Sequence, residues 1–179
     1  MPLTVTIHML LALLIVNLLI YLVMETYYHG QKLSGKAVQS VKILVRVIWV
    51  VMLIQILLGT EIRSEVEILR QQFPLLMNNE ILQRAGVIQF IHALLGIILA
   101  GGILLSGVMI MRLSAVSELA KQSVWSVGIL IILQLLIGFS LQIIGVSPLL
   151  QVFHLWIASI IFGFILVLHS TLTFKQVSP

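Results

Sequence analysis

The run Gln89-Phe90-Ile91-His92-Ala93-Leu94-Leu95-Gly96 places an ionisable ring inside an apolar segment. From Ala85 to Met111 no residue is charged, and at a helical rise of roughly 1.5 Å per residue such a segment crosses a hydrocarbon core of roughly 30 Å with residues to spare. An ionisable group at that depth is costly and marks a functional site or a specific partner. The reading of this one stretch, a membrane helix with a histidine near its start, sets the reading of the rest.

The composition agrees. With 60% hydrophobic and 9% charged residues and a mean hydropathy of +1.19, a water-soluble fold would leave large apolar patches exposed. The chain is therefore expected to be an all-α integral membrane protein. The ten Lys and Arg residues sit in short connections rather than along one face, so they report topology and not a nucleic-acid partner. The absence of cysteine excludes disulfides, thiolate metal sites and covalent haem attachment. The N-terminus lacks the basic region and small-residue cleavage site of a signal peptide.

Five spans are expected. The first runs from Leu3 to Met24 and carries His8 and Asn17; Tyr27 and Tyr28, which follow, suit a membrane interface. The second runs from about Ile43 to Thr60, with Arg46 snorkelling from inside it. Residues 61–84 form the longest loop, in which Ile62, Val66, Leu69 and Phe73 recur at helical spacing up to Pro74. That spacing predicts a short amphipathic helix lying on the membrane or capping a pocket beneath it. Asn78 or Asn79 is expected to cap the third span. The uncharged run from Gln122 to Phe174 is too long for one crossing and is divided at Gly145-Val146-Ser147-Pro148 into a fourth and a fifth span. One set of connections carries seven basic residues, Lys32, Lys36, Lys42, Arg46, Arg112, Lys121 and Lys175, against Arg63, Arg70 and Arg84 on the other. The excess predicts a cytoplasmic location for the first set and an external N-terminus.

With that topology His8, His92 and His154 all fall near the outer start of their spans, at one level. Each is followed four residues later by a small residue, Ala12, Gly96 or Ala158, on the same helical face. A flat ring held by such a histidine has room against the helix. Haem is the natural cofactor, because neutral imidazoles from two helices fill both axial positions of an iron; zinc suits the spans less, since no acidic residue lies inside them. The competing structural reading is that these histidines bond neighbouring helices and the small residues serve packing. His169, fifteen residues past His154, reads as interfacial, with only His29 as a candidate mate at its depth. Two frames, Gln55-Ile56-Leu57-Leu58-Gly59 and Gln134-Leu135-Leu136-Ile137-Gly138, recur 79 residues apart; either glutamine could serve a haem carboxylate or orient an axial histidine, or simply reflect helix packing at glycine. Glu61, Arg63 and Glu65 are candidates for carboxylate or gating contacts, or else a solvated face.

The pattern Gln-x-x-Leu-Gly-Thr with a following Glu-x-Arg, from Gln55 to Arg63, together with the His92 helix, the second glutamine-glycine helix and the His154 helix, resembles the haem A synthases. That family has eight membrane helices in two similar four-helix halves. The resemblance implies that residues 1–26 are the last helix of a first half otherwise absent, and that 43–174 are a four-helix haem-binding half with an outer loop at 61–84. It covers nearly the whole chain and about five eighths of the family architecture.

Carried over residue by residue, it implies that His92 and His154 are the axial ligands of haem b and that His8 belongs to the site of the substrate haem O; Gln55 and Gln134, read from their own frame, stand as candidates beside the axial pair. The family's remaining first-half histidine has no counterpart here, nor has the glutamate three residues before it. Gln89 holds the equivalent position before His92, so the catalytic residue is unassigned; the cysteine pair of some members is also missing. These departures suggest a fragment or an internal start.

The implied activity is oxidation of the C8 methyl of haem O to the formyl group of haem A, in the cell membrane, for cytochrome oxidase biogenesis. The implied partners are haem O, membrane lipid, a haem O synthase and cytochrome oxidase assembly proteins, with self-association open and no nucleic acid. Two alternatives stand beside it: a small b-type cytochrome that only transfers electrons, and a haem-free structural module.

Overall fold

The computed structural model describes residues 2–28, 33–76, 80–81, 84, 86–114 and 116–173. Among them are five long helices: α1 (Pro2–Tyr27), α2 (Lys36–Gln72), α3 (Val87–Met111), α4 (Glu118–Ile143) and α5 (Pro148–Thr173). All five are long and apolar enough to cross a membrane, and there is no strand among the described residues. A helix of 26 residues, the length of α1, α4 and α5, rises roughly 39 Å, enough for a hydrocarbon core and part of both headgroup layers.

Helix boundaries follow local chemistry. Ser117 caps α4, its hydroxyl accepting from the Ala120 amide at 3.2 Å, and Glu118 occupies the first turn, where its charge suits the helix dipole. Pro148 opens α5 at the position where its missing N–H costs nothing. The link before it turns at Gly145, whose φ of 92° lies in the left-handed region open to glycine. The α3 cap is Gly86, with no side-chain hydrogen bond; Asn78 and Asn79, expected to cap it, lie outside the described residues, as does His29.

The principal departure from expectation is at α2. Residues 61–72 are not loop and do not form a separate helix: they continue α2 without a break to Gln72, for 37 residues in all. The reason is local. Glu, Arg, Leu and Gln in this stretch are strong helix formers, no proline occurs before Pro74, and a single interior glycine at Gly59 costs only about 1 kcal/mol. Ile62, Val66 and Leu69 do face inward, and Val66 and Leu69 pack with Ile81 and Val146 in a small second cluster. Phe73 caps the helix, with the Arg84 guanidinium 4.8 Å from its ring centre.

Helices α2, α3, α4 and α5 form a ring in that order, each packed on its sequence neighbour and α5 closing on α2. Helix α1 lies outside the ring against α5 and, more lightly, α2. Its contact stripe includes Met9, Leu13, Asn17, Ile20 and Met24, and most of its other described residues are exposed. Asn17 is buried in the stripe; its amide donates to the Leu13 carbonyl at 2.9 Å and its oxygen accepts from the Trp49 indole at 3.4 Å. Trp49 in turn stacks on Phe162 with ring centres 4.9 Å apart. Around Phe162 the ring is filled by Ile161, Ile165, Leu168 and Leu172 from α5, Val41 and Val45 from α2, Ile110 from α3 and Val127 from α4, all at most 1% exposed. The other end of the ring, beneath the α2 extension, is hollow.

Candidate haem site at the hollow end

The helix pairs α2–α3 and α4–α5 make the same contact twice. In the first, Gly59 lies against the His92 ring, and a Cβ there would stand 3.2 Å from His92 Cε1; in the second, a Cβ on Gly138 would stand 3.2 Å from His154 Cε1. A Cβ at either position would require the imidazole to give way by a few tenths of an ångström. One turn before each glycine is a glutamine. Gln55 Nε2 donates to the His92 carbonyl at 2.8 Å, and Gln134 Nε2 lies 3.1 Å from His154 Nε2. Which group donates in this second contact is set by the tautomer of His154 and the rotation of the amide. Gly96, one turn after His92, makes room for the Gln55 amide, since a Cβ there would meet Nε2 at 3.1 Å. The recurrence of the Gln-x-x-x-Gly frame therefore has a geometrical content: each copy cradles one histidine.

The two histidines face one another with ring centres 6.3 Å apart and planes inclined by 56°. Both line a cavity of about 910 Å³, at the upper end of the range for small-molecule and cofactor sites. Its floor is apolar, from Leu99, Ala100, Ile103, Ile131, Ala158 and Ile161. Its mouth is polar, with Arg63, Glu67, Arg70, Gln89, Gln142 and Gln151. One side wall is made by Ile97 of α3 and Ile132, Leu136 and Phe139 of α4, which are 58–65% exposed on the surface of the bundle; the cavity is thus open to the apolar surroundings between α3 and α4. Four buried polar atoms at this site, Gln55 Oε1, Gln134 Oε1, His92 Nδ1 and His154 Nδ1, have no hydrogen-bond partner among the described residues. Buried polar groups left this way point to a group that belongs in the site.

The candidates from sequence separate here. His92, His154, Gln55 and Gln134 converge on the cavity, and Gln89 reaches its mouth, where its amide donates to Gln142 Oε1 at 2.6 Å. His8 does not join them: it is exposed on α1, outside the ring. His169 sits half-buried at the packed end, far along α5, with its Nε2 buried and without a hydrogen-bond partner among the described residues. Of the α2 charges, Arg63 lines the cavity, while Glu61 and Glu65 are exposed away from it.

Gln151, Gln142 and Arg70 are site residues that the sequence reading passed over. Arg70 and Gln151 both donate to the Val146 carbonyl, the latter at 3.1 Å, and so tie the α2 extension to the α4–α5 link above the cavity. A signal for Gln151 was available: it precedes His154 by three residues, as Gln89 precedes His92. The 79-residue offset also reaches one turn past the glycines, to Arg63 and Gln142.

Comparison with curated proteins and with solved structures returned no match. The family comparison did: the model of the cytochrome oxidase assembly protein family (COX15-CtaA) matches residues 1–166, which takes in α2, α3, α4 and most of α5, both glutamine-glycine frames and both facing histidines. The chain is a member of that cytochrome oxidase assembly family.

Proposed function

We propose that this protein is a haem A synthase, oxidising the C8 methyl of haem O to the formyl group of haem A, with a resident haem b held between His92 and His154. The observation that carries the reading is the facing pair itself. Two metal–imidazole bonds of ~2 Å each, added to the distance from each nitrogen to its ring centre, separate the centres by roughly 6 Å, against the 6.3 Å found. The donor set suits iron in a porphyrin, two neutral imidazoles on opposite helices. Among the described residues there is no cluster of three His, Cys, Asp or Glu side chains to hold a bare ion.

When bound, haem b would supply a one-electron redox centre. The rest is the work of the chain. Gln55 holds the α3 backbone at His92, and Gln134 fixes the orientation of the His154 ring. Gly59 and Gly138 keep the space beside the rings clear. The apolar floor excludes water and sets a low local dielectric, which tunes the redox potential. His8 is assigned to the substrate haem through the family resemblance; its exposed position on α1 makes that a second site, distinct from the cavity. Residues 1–26 accordingly belong with a substrate-handling unit and 43–174 with the haem b unit. By the excess of basic residues at the packed end, the N-terminus and the hollow end face outward, and the chain spans the cell membrane.

A second reading, a b-type cytochrome that only transfers electrons, is favoured by one observation: Gln89, where the family's other half has a glutamate, is neutral and bonded to Gln142. Co-expression with a haem O synthase, followed by haem extraction and chromatography, separates the two. Synthase activity predicts conversion of haem O to haem A; haem b in the protein with haem O unchanged would select the cytochrome.

A further inference from the structure

The two copies of the histidine cradle are alike in glutamine and glycine and differ one turn further on. Above His92 the frame continues Gln55, Gly59, Arg63; above His154 it continues Gln134, Gly138, Gln142. Gln142 is engaged, accepting from Gln89 at 2.6 Å. Arg70 is engaged too, donating to the Val146 carbonyl. Arg63 lines the cavity mouth, exposed, with no hydrogen bond or ion pair among the described residues. Glu67, one turn beyond it on the same wall, accepts from Gln71 at 3.2 Å.

An apolar floor, two imidazoles at mid-depth and, at the rim, a guanidinium without an ion pair among the described residues suit a flat ligand with an anionic edge. We infer that Arg63 binds a carboxylate of the porphyrin held between His92 and His154, and thereby sets which edge of the macrocycle faces the cavity mouth. The inference rests on the haem reading above and adds to it an anion site on one side only of a pseudo-symmetric pocket. A guanidinium meets a carboxylate through two parallel N–H donors, so one arginine suffices to orient the ring. That Arg63 reaches the mouth at all depends on α2 continuing past the apolar part of its span.

The test compares two porphyrins on the purified protein: haem b and its dimethyl ester, which keeps the iron and loses both negative charges. Soret titrations give the two affinities for the wild type, Arg63→Gln and Arg63→Lys. The expected result is that Arg63→Gln weakens haem b by about 10-fold or more, the contribution of one charge-assisted hydrogen bond, leaves the ester unchanged, and that Arg63→Lys recovers part of the loss. Equal weakening of both porphyrins, or of neither, overturns the inference while leaving the haem reading standing. A wild type that binds neither porphyrin overturns the haem reading and this inference with it.

Discussion

The packed and hollow ends of the four-helix ring are built on the same helices and differ in what those helices turn inward. At the packed end, α5 contributes Ile161, Phe162, Ile165, Leu168 and Leu172, each at most 1% exposed, and the facing helices add valine and isoleucine. At the hollow end the same helix contributes Gln151, His154 and Ala158, while α2 and α4 contribute Gly59 and Gly138. The difference teaches that the cavity is specified rather than left over. Small residues remove the side chains that would fill it, and the glutamines and histidines that line it leave buried polar atoms without a hydrogen-bond partner among the described residues. The packed end supplies the stability against which that opening is held.

The largest effect on folding is expected at the packed end: Phe162→Ala should destabilise the protein by about 3–5 kcal/mol, the range for deleting a fully buried aromatic side chain. A denaturation midpoint should record the loss, while the haem content of the folded fraction stays at the wild-type level. A Phe162 variant that folds normally but loses haem would show that the two ends are not separate in function. A smaller effect is expected at the hollow end. Gln134→Leu removes the amide that holds the His154 ring and should weaken haem binding by about 10- to 100-fold, as loss of a ligand-orienting partner typically does, with little change in the unfolding midpoint. Unaltered affinity would reduce Gln134 to a packing residue.

How much of this was legible in the sequence follows from what each signal measures. Uncharged runs marked all five helices because hydropathy reports where a segment is compatible with lipid. The same signal misread residues 61–72, since charge at Glu61 marks the end of the apolar run and not the end of the helix, and α2 continues to Gln72. Counting residues from each span start placed His8, His92 and His154 at one level, but depth is one coordinate and the direction around the helix is another. His92 and His154 point into the ring because α3 and α5 belong to it; His8 is exposed because α1 packs outside on the stripe of Leu13, Asn17, Ile20 and Met24. The glutamine-glycine repeat was visible as a pattern. Its meaning, one cradle for each histidine, appears only when α2 meets α3 and α4 meets α5.

The central claim is that His92 and His154 jointly hold one haem, and the most direct measurement of it is the haem stoichiometry and coordination state of the purified protein and of its two single His→Ala variants. The account predicts one haem b per wild-type chain, six-coordinate and low-spin, and in both His92→Ala and His154→Ala either loss of haem or a five-coordinate high-spin species that added imidazole returns to six-coordinate. Retention of the low-spin six-coordinate spectrum in either variant, without imidazole, would contradict it.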